Sequence, residues 1–247
     1  MAHKQNSRKT NKGMSVNIQV LASGSSGNCY AVDDGQTKIM IEVGMPWKQI
    51  QRALNFETHT ISAVLCSHSH SDHSLSIKAA MKAGLDCYMS RDTASALGLI
   101  GHRLHIVEPM KQFTVGKWAV MPFDARHDAE GSLGFLLASE TGERLVYLTD
   151  SVYSRYRFEE ITCWMLEINY DTETIKQNVA DGIIDREHYK RVIRSHCSLE
   201  TAVELLKAND LSNTQGLWVI HMSNENANAE RIKRTLQEQF GKPVYIA

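Results

Sequence analysis

Leu65-Cys66-Ser67-His68-Ser69-His70-Ser71-Asp72-His73-Ser74 sets three histidines and an aspartate within six positions, directly after the apolar run 61–66. Residues two apart in an extended segment point to the same side, so His68 and His70 converge on one point. A turn through Ser71 then presents Asp72 and His73 differently. One tetrahedral cation needs about four ligands, and a catalytic one keeps a position for water. Adjacent clusters of this kind therefore suit two ions that share ligands, and the fold must bring the remaining ligands to this strand end from elsewhere.

Those ligands can be sought by position. His127 follows the apolar run 118–123, Asp150 follows 144–148, and His221 directly follows 217–220. All three stand just past strand ends, where ligand sites form in layered α/β folds. Cysteine is a poor alternative: Cys29, Cys66, Cys87, Cys163 and Cys197 are scattered, odd in number and never in a CxxC pair. That pattern fits neither a disulfide framework nor a thiolate zinc knuckle, so each is read as a buried reduced side chain.

Short apolar runs at 18–22, 30–32, 38–42, 61–66, 118–123, 133–138, 144–148, 163–168, 217–220 and 244–246 read as strands. Helical spacing appears at 76–83, 92–99, 186–194, 199–206 and 227–240. Early strands separated by brief turns suggest antiparallel meanders, and later ones alternate with helices, which indicates sheets covered by helices on their outer faces. Residues 1–13 carry Lys4, Arg8, Lys9 and Lys12 with no acid and no apolar periodicity, so they are expected to form a flexible tail, with 14–247 as a single domain.

The chain has 27 Lys+Arg against 28 Asp+Glu, a net charge of −1, and 43% hydrophobic residues. This argues against coating nucleic acid or an anionic membrane through bulk charge. No run approaches the ~18 apolar residues of a membrane span, and the beginning lacks the apolar segment of a secretory signal. A cytoplasmic location is expected.

HxHxDH at 68–73, followed by lone His127, Asp150 and His221, resembles the metallo-β-lactamase superfamily, in the order and spacing of its phosphodiesterase branch. The segment Leu21-Ala22-Ser23-Gly24-Ser25-Ser26-Gly27-Asn28-Cys29-Tyr30 is similar to the opening of the YycJ/WalJ-like group, close to which stand phage anti-Pycsar proteins that hydrolyse cyclic nucleotides. Further resemblance lies in Leu166-Glu167-Ile168-Asn169-Tyr170-Asp171 and in His221-Met222-Ser223-Asn224-Glu225-Asn226. The resemblance implies a four-layer αββα sandwich with a dinuclear site at one edge. It implies that His68, His70 and His127 hold one metal, that Asp72, His73 and His221 hold the second, and that Asp150 bridges them. Such imidazole and carboxylate ligands suit Zn²⁺, or Mn²⁺. Two positions depart from the pattern. Glu42 stands where the family usually has Asp, and Ser195-His196-Cys197-Ser198-Leu199 replaces Gly-His-Leu-Ser-Asn.

The mechanism expected from such a site is attack by metal-held hydroxide on phosphorus, with Asp72 orienting the water and His196 protonating the leaving oxygen. The leading expectation is a cyclic-nucleotide phosphodiesterase acting on a small cyclic mononucleotide, as anti-Pycsar proteins do, working as a homodimer and, if phage-encoded, in the host cytoplasm. The alternative is a YycJ- or tRNase Z-like nuclease acting on DNA or RNA. Thioester or lactam hydrolysis and a non-catalytic interaction module rank below these. Ser25, Ser26 and Asn28 are read as turn residues at the rim, and His59, His102, His105 and His188 as exposed. Arg155, Arg157, Lys190, Arg191 and Arg194 are read as solvated helix faces or a phosphate path.

Overall fold

Each apolar run is long enough to bury one face against an opposing sheet and the other beneath helices, and two sheets result. The computed structural model describes residues 16–247; the tail expected at 1–13 lies outside the described residues. The first sheet takes β1 (Asn17–Ala22), β2 (Cys29–Asp33), β3 (Lys38–Ile41), β4 (Ile61–Leu65), β5 (Asp86–Met89) and β6 (Leu104–Ile106) in that spatial order. Its first three strands form the expected antiparallel meander, and β3 to β6 run parallel. The second sheet takes β7 (Phe113–Val115), β8 (Trp118–Asp124), β9 (Leu133–Ser139), β10 (Arg144–Leu148), β11 (Cys163–Glu167), β12 (Gly216–Ile220) and β13 (Val244–Ile246), again in order. Pairing is antiparallel from β7 to β10 and parallel from β10 to β13.

Alternation along the strands sorts the side chains into layers. Ile39 and Ile41 of β3, Trp118 and Val120 of β8 and Cys163 and Met165 of β11 point into the core between the sheets. Their neighbours face outward. Met40 and Val64 meet Ile50 of α1 (Trp47–Ala53), Ile77 of α3 (Ile77–Lys82) and Ala94 of α4 (Arg91–Ala96). Trp164, Leu166 and Val219 meet α7 (Leu199–Lys207) and α8 (Ala229–Phe240). The αββα sandwich expected from the motif is the observed architecture.

Three more helices complete the inventory that matters for the site: α2 (Ser71–Ser74) carries Asp72 and His73, and α5 (Thr172–Ala180) with α6 (Arg186–Ser195) forms a helical pair between β11 and α7. The pair has a small apolar cluster of its own, built on Tyr170, Ile175, Ile184 and Val192. Side chains cap its helices: Asp171 accepts from Thr174 N and Asp185 from His188 N. Asn228 caps α8 in the same way, so this helix starts at Ala229 rather than at the expected 227.

One boundary differs from the sequence reading for a reason that recurs at two other strand ends. β3 stops at Ile41 instead of running to 42, because Glu42 takes a left-handed backbone with φ 62°. Asp150 (φ 44°) and His221 (φ 49°) do the same just beyond β10 and β12. Such backbone is disfavoured for residues with a Cβ and concentrates at functional sites. Here it turns three strand-end side chains toward the gap between the two sheets.

Candidate metal centre

The C-terminal ends of β3, β4, β8, β10, β11 and β12 meet at one edge of the sandwich, and every predicted ligand arrives there. Each of the three sets His68–His70–His127, Asp72–His73–His221 and His68–His73–Asp150 offers ligand atoms within 4.8 Å of one another. Asp150 occupies the shared position: its Oδ2 lies 3.3 Å from His68 Nε2 and 2.7 Å from His73 Nε2. Asp72 Oδ2 lies 3.3 Å from His73 Nε2 and 3.1 Å from His221 Nε2. His70 Nδ1 and His127 Nε2 are 3.2 Å apart.

These spacings fit a cation. A tetrahedral ion bonded at ~2.0–2.1 Å holds its ligand atoms about 3.3–3.4 Å apart, close to the values observed. His68 Nε2 is buried and makes no hydrogen bond, although Asp150 Oδ2 stands 3.3 Å away, as two ligands of one ion would. The opposite ring atoms are tied to the protein. His127 Nδ1 donates to Ser195 O (3.1 Å), His221 Nδ1 to Glu167 Oε1 (2.9 Å), and His68 Nδ1 lies 2.8 Å from Ser67 Oγ. An imidazole anchored through one nitrogen and free at the other is the usual arrangement of a metal ligand. The donor set of five imidazoles and two carboxylates suits Zn²⁺ or Mn²⁺.

Glu42 stands where the family usually has a shorter carboxylate, and it is fully buried with a left-handed backbone. Its carboxylate accepts from Ser67 N (3.2 Å) and Tyr147 Oη (3.2 Å) and stands 3.6 Å from His73 Nδ1. Glu167, which carried no role in the sequence reading, is the residue that reading missed. Its Oε1 lies 2.6 Å from His196 Nδ1 and 2.9 Å from His221 Nδ1, and its Oε2 accepts from Cys197 N and Ser151 N. A glutamate closing the fully buried strand Cys-Trp-Met-Leu-Glu was a usable signal, since such a carboxylate is rarely buried without partners.

Two more readings change. Asn28 is not at the rim. It is fully buried, its side-chain amide donates to Gly24 O (3.1 Å) and Asp72 O (3.3 Å), and it lies 3.2 Å from His73 Nε2. Nor is His188 a detached surface residue, because it lines a cavity of about 550 Å³ with Asp72, His127, Asp150, His196 and His221. Arg191 joins this wall, while Arg155 pairs with Asp124 and Lys190 with Glu187.

The charges are interlocked. Burial opposes protonation of His196, yet Glu167 and Asp150 outweigh it and push the imidazole up to about 10. For His221 burial is likewise overcome, by Asp150, Asp72 and Glu167, and the group rises to about 9. Burial would raise Asp72, but hydrogen bonds from His221 and His73 hold it well below the usual carboxylate range. Protons on these imidazoles thus balance the carboxylates where a cation would otherwise do so.

The comparisons agree with this geometry. Residues 38–222 match the family described as Beta-lactamase superfamily domain. Over 240 residues the chain is 28% identical to the exodeoxyribonuclease WalJ of Streptococcus pneumoniae, covering 90% of this chain and 87% of that protein. It is 24% identical over 238 residues to the exodeoxyribonuclease YycJ of Bacillus anthracis, covering 91% and 89%. Among solved structures, the metallo-beta-lactamase fold protein YhfI from Bacillus subtilis superposes with a TM-score of 0.72 at 16% identity over 94% of this chain and 96% of that one, a likeness of fold. With the sandwich and the clustered HxHxDH residues already in place, a family match over most of the chain makes this a member of the metallo-β-lactamase superfamily, similar along most of its length to WalJ and YycJ.

Proposed function

We propose that the protein is a dinuclear, divalent-metal-dependent phosphodiesterase that acts on nucleic acid as a nuclease. The observation that carries this reading is the position of Asp150, whose one oxygen faces both His68 Nε2 and His73 Nε2 and so can be shared between two ions. The names of the WalJ and YycJ relatives support a nuclease over the cyclic mononucleotide expected first.

In this reading His68, His70 and His127 would hold one ion, Asp72, His73 and His221 the other, and Asp150 would serve both. When bound, two such ions supply an activated water and neutralise charge on a phosphate oxygen. The chain's own residues do the rest. Glu167 takes the Nδ1 proton of His196 into a hydrogen bond, which leaves His196 Nε2 for the leaving oxygen. His196 is the proposed proton donor and Glu167 its positioning residue. Asp72, partly exposed to the cavity and 3.1 Å from His221 Nε2, would accept from the attacking water and orient it.

The test is to offer the Zn²⁺- and Mn²⁺-loaded protein single-stranded DNA, RNA and 3′,5′-cyclic mononucleotides beside an Asp150→Asn control. Cleavage of a polymer that is lost in the control is expected, with a rate that falls steeply with salt because several phosphates are gripped. Cleavage of cyclic mononucleotides alone would restore the other substrate class, and activity that survives Asp150→Asn would overturn the proposed site.

A further inference from the structure

We propose that α6 supplies a second phosphate-binding point, Arg191 with His188, beyond the scissile phosphate, so that the preferred substrate carries at least two phosphates on neighbouring nucleotides. This rests on the phosphodiesterase reading above and narrows it to a chain rather than a one-phosphate ring.

His188, Arg191, Val192 and Ser195 line the same 550 Å³ cavity as Asp72, Asp150 and His221. Their spacing of three, four and seven residues puts them on one helical face. The C-terminal end of that face is fixed to the metal centre, because His127 Nδ1 donates to Ser195 O and His196 Nδ1 to Glu167. At 1.5 Å per residue, Arg191 stands roughly 7.5 Å and His188 about 12 Å back along the axis from His196. Helical side chains lean toward the helix N-terminus, so both reach away from the reacting phosphorus rather than toward it. They stand where the next phosphate of a strand would lie.

The charge is also available. Lys190 on the same helix is paired with Glu187, and Arg231 with Asp171 and Glu173, whereas no ion pair within 4 Å involves Arg191 among the described residues. The Arg191 charge is felt by Asp185, whose carboxylate already accepts from His188 N. Of the acids on the cavity wall, Asp72, Asp128 and Asp150 each lie within 4 Å of a histidine nitrogen, at His221, His127 and His73. A planar guanidinium there can grip two phosphate oxygens at once. A cyclic mononucleotide has no second phosphate to offer it.

The experiment compares wild type with Arg191→Ala, Arg191→Lys and His188→Asn on bis(p-nitrophenyl) phosphate, on 3′,5′-cyclic mononucleotides and on thymidine oligonucleotides of two to six residues. Wild type is expected to prefer the oligonucleotides. In Arg191→Ala the ratio of oligonucleotide KM to bis(p-nitrophenyl) phosphate KM should rise about tenfold or more, with Arg191→Lys between, because a charge-assisted phosphate contact is lost. Fluorescence anisotropy with a labelled oligonucleotide and EDTA-treated protein should show the same weakening and a salt slope smaller by about one. An unchanged ratio, or equal losses on both substrates, overturns the second point. A wild type that cleaves bis(p-nitrophenyl) phosphate without favouring oligonucleotides overturns this proposal alone. A wild type inactive on every substrate removes the phosphodiesterase reading and this proposal with it.

Discussion

Gly44→Ala tests how the metal-bearing turn is held. A Cβ at position 44 would sit 1.7 Å from the carbonyl oxygen of Asp72, 2.1 Å from its carbon and 2.8 Å from His73 N. Ordinary contacts begin near 3.5 Å, so the two backbones must separate by roughly 1.5–2 Å. Three hydrogen bonds oppose that movement: Asn28 N to Asp72 O at 2.7 Å, Val43 N to His73 O at 2.8 Å and Gly44 N to Asn28 O at 2.9 Å. Overpacking of a filled interior costs about 1–3 kcal/mol, and each weakened hydrogen bond adds about 0.5–1.5 kcal/mol. A total of about 3–5 kcal/mol corresponds to a fall in Tm of roughly 10 °C for a chain of this size. Metal sites tolerate about 0.5 Å of displacement, so Asp72 and His73 should also lose their ion. Gly84→Ala is the control. Unlike Gly44→Ala it places alanine in the φ > 0 region (φ 94°), but its Cβ meets nothing within 4 Å; it should cost about 1–2 kcal/mol of local strain and leave metal content alone. Differential scanning calorimetry and elemental analysis after dialysis read both quantities. A Gly44→Ala protein with wild-type metal content and a Tm within about 2 °C of wild type would refute the packing argument.

Glu167→Gln keeps every proposed ligand but removes the carboxylate that His196 and His221 share, and metal affinity should drop about 10–100-fold, read by competition with a chromophoric chelator; unchanged affinity would reduce Glu167 to a spacer. In EDTA-treated protein, His196 and His221 are raised to about 10 and 9 from an ordinary value near 6.5. Their contribution is therefore complete below about pH 6.5 and lost as pH rises through 9 to 10. The metal-free protein should melt lower at pH 10 than at pH 7, and a flat or rising Tm over that range would contradict the assigned charges. All five cysteines are buried, and burial pushes their thiols up, Cys87 to about 12. A disulfide reagent should label none until the chain unfolds; rapid labelling of Cys29 or Cys197 in native protein would show that the core opens locally.

The proposed ligands were legible as a cluster because they are chemically distinctive and sit at strand ends that hydrophobic runs announce. His127, Asp150 and His221 could be found by that rule alone. β5, β6 and β7 were not found, since Asp86, His105 and Thr114 interrupt runs only three or four residues long. α5 escaped because Thr172, Glu173 and Gln177 leave few apolar positions to show a period, its burial resting on Ile175 and Asn178. The role of Asn28 was hidden for a different reason. Its partners, Asp72 and His73, are more than forty residues away, and only the close stacking of Gly27, Gly44 and the 72–73 backbone brings them together. Likewise, nothing local announces the left-handed backbone at Glu42, Asp150 and His221, which is imposed by the site they build.

The centre draws on both sheets, and its last proposed ligand, His221, follows β12 near the far end of the chain. On the proposed reading, synthesis therefore governs when the activity could begin. A ribosome that has released the first sheet and its histidine cluster has made a metal-seeking surface but no complete centre. Only after β12 has slotted beside β11 does His221 reach Asp72 and Glu167. On the proposed reading, truncated or stalled products that lack β12 would lack His221 with it, and activity would await the finished molecule.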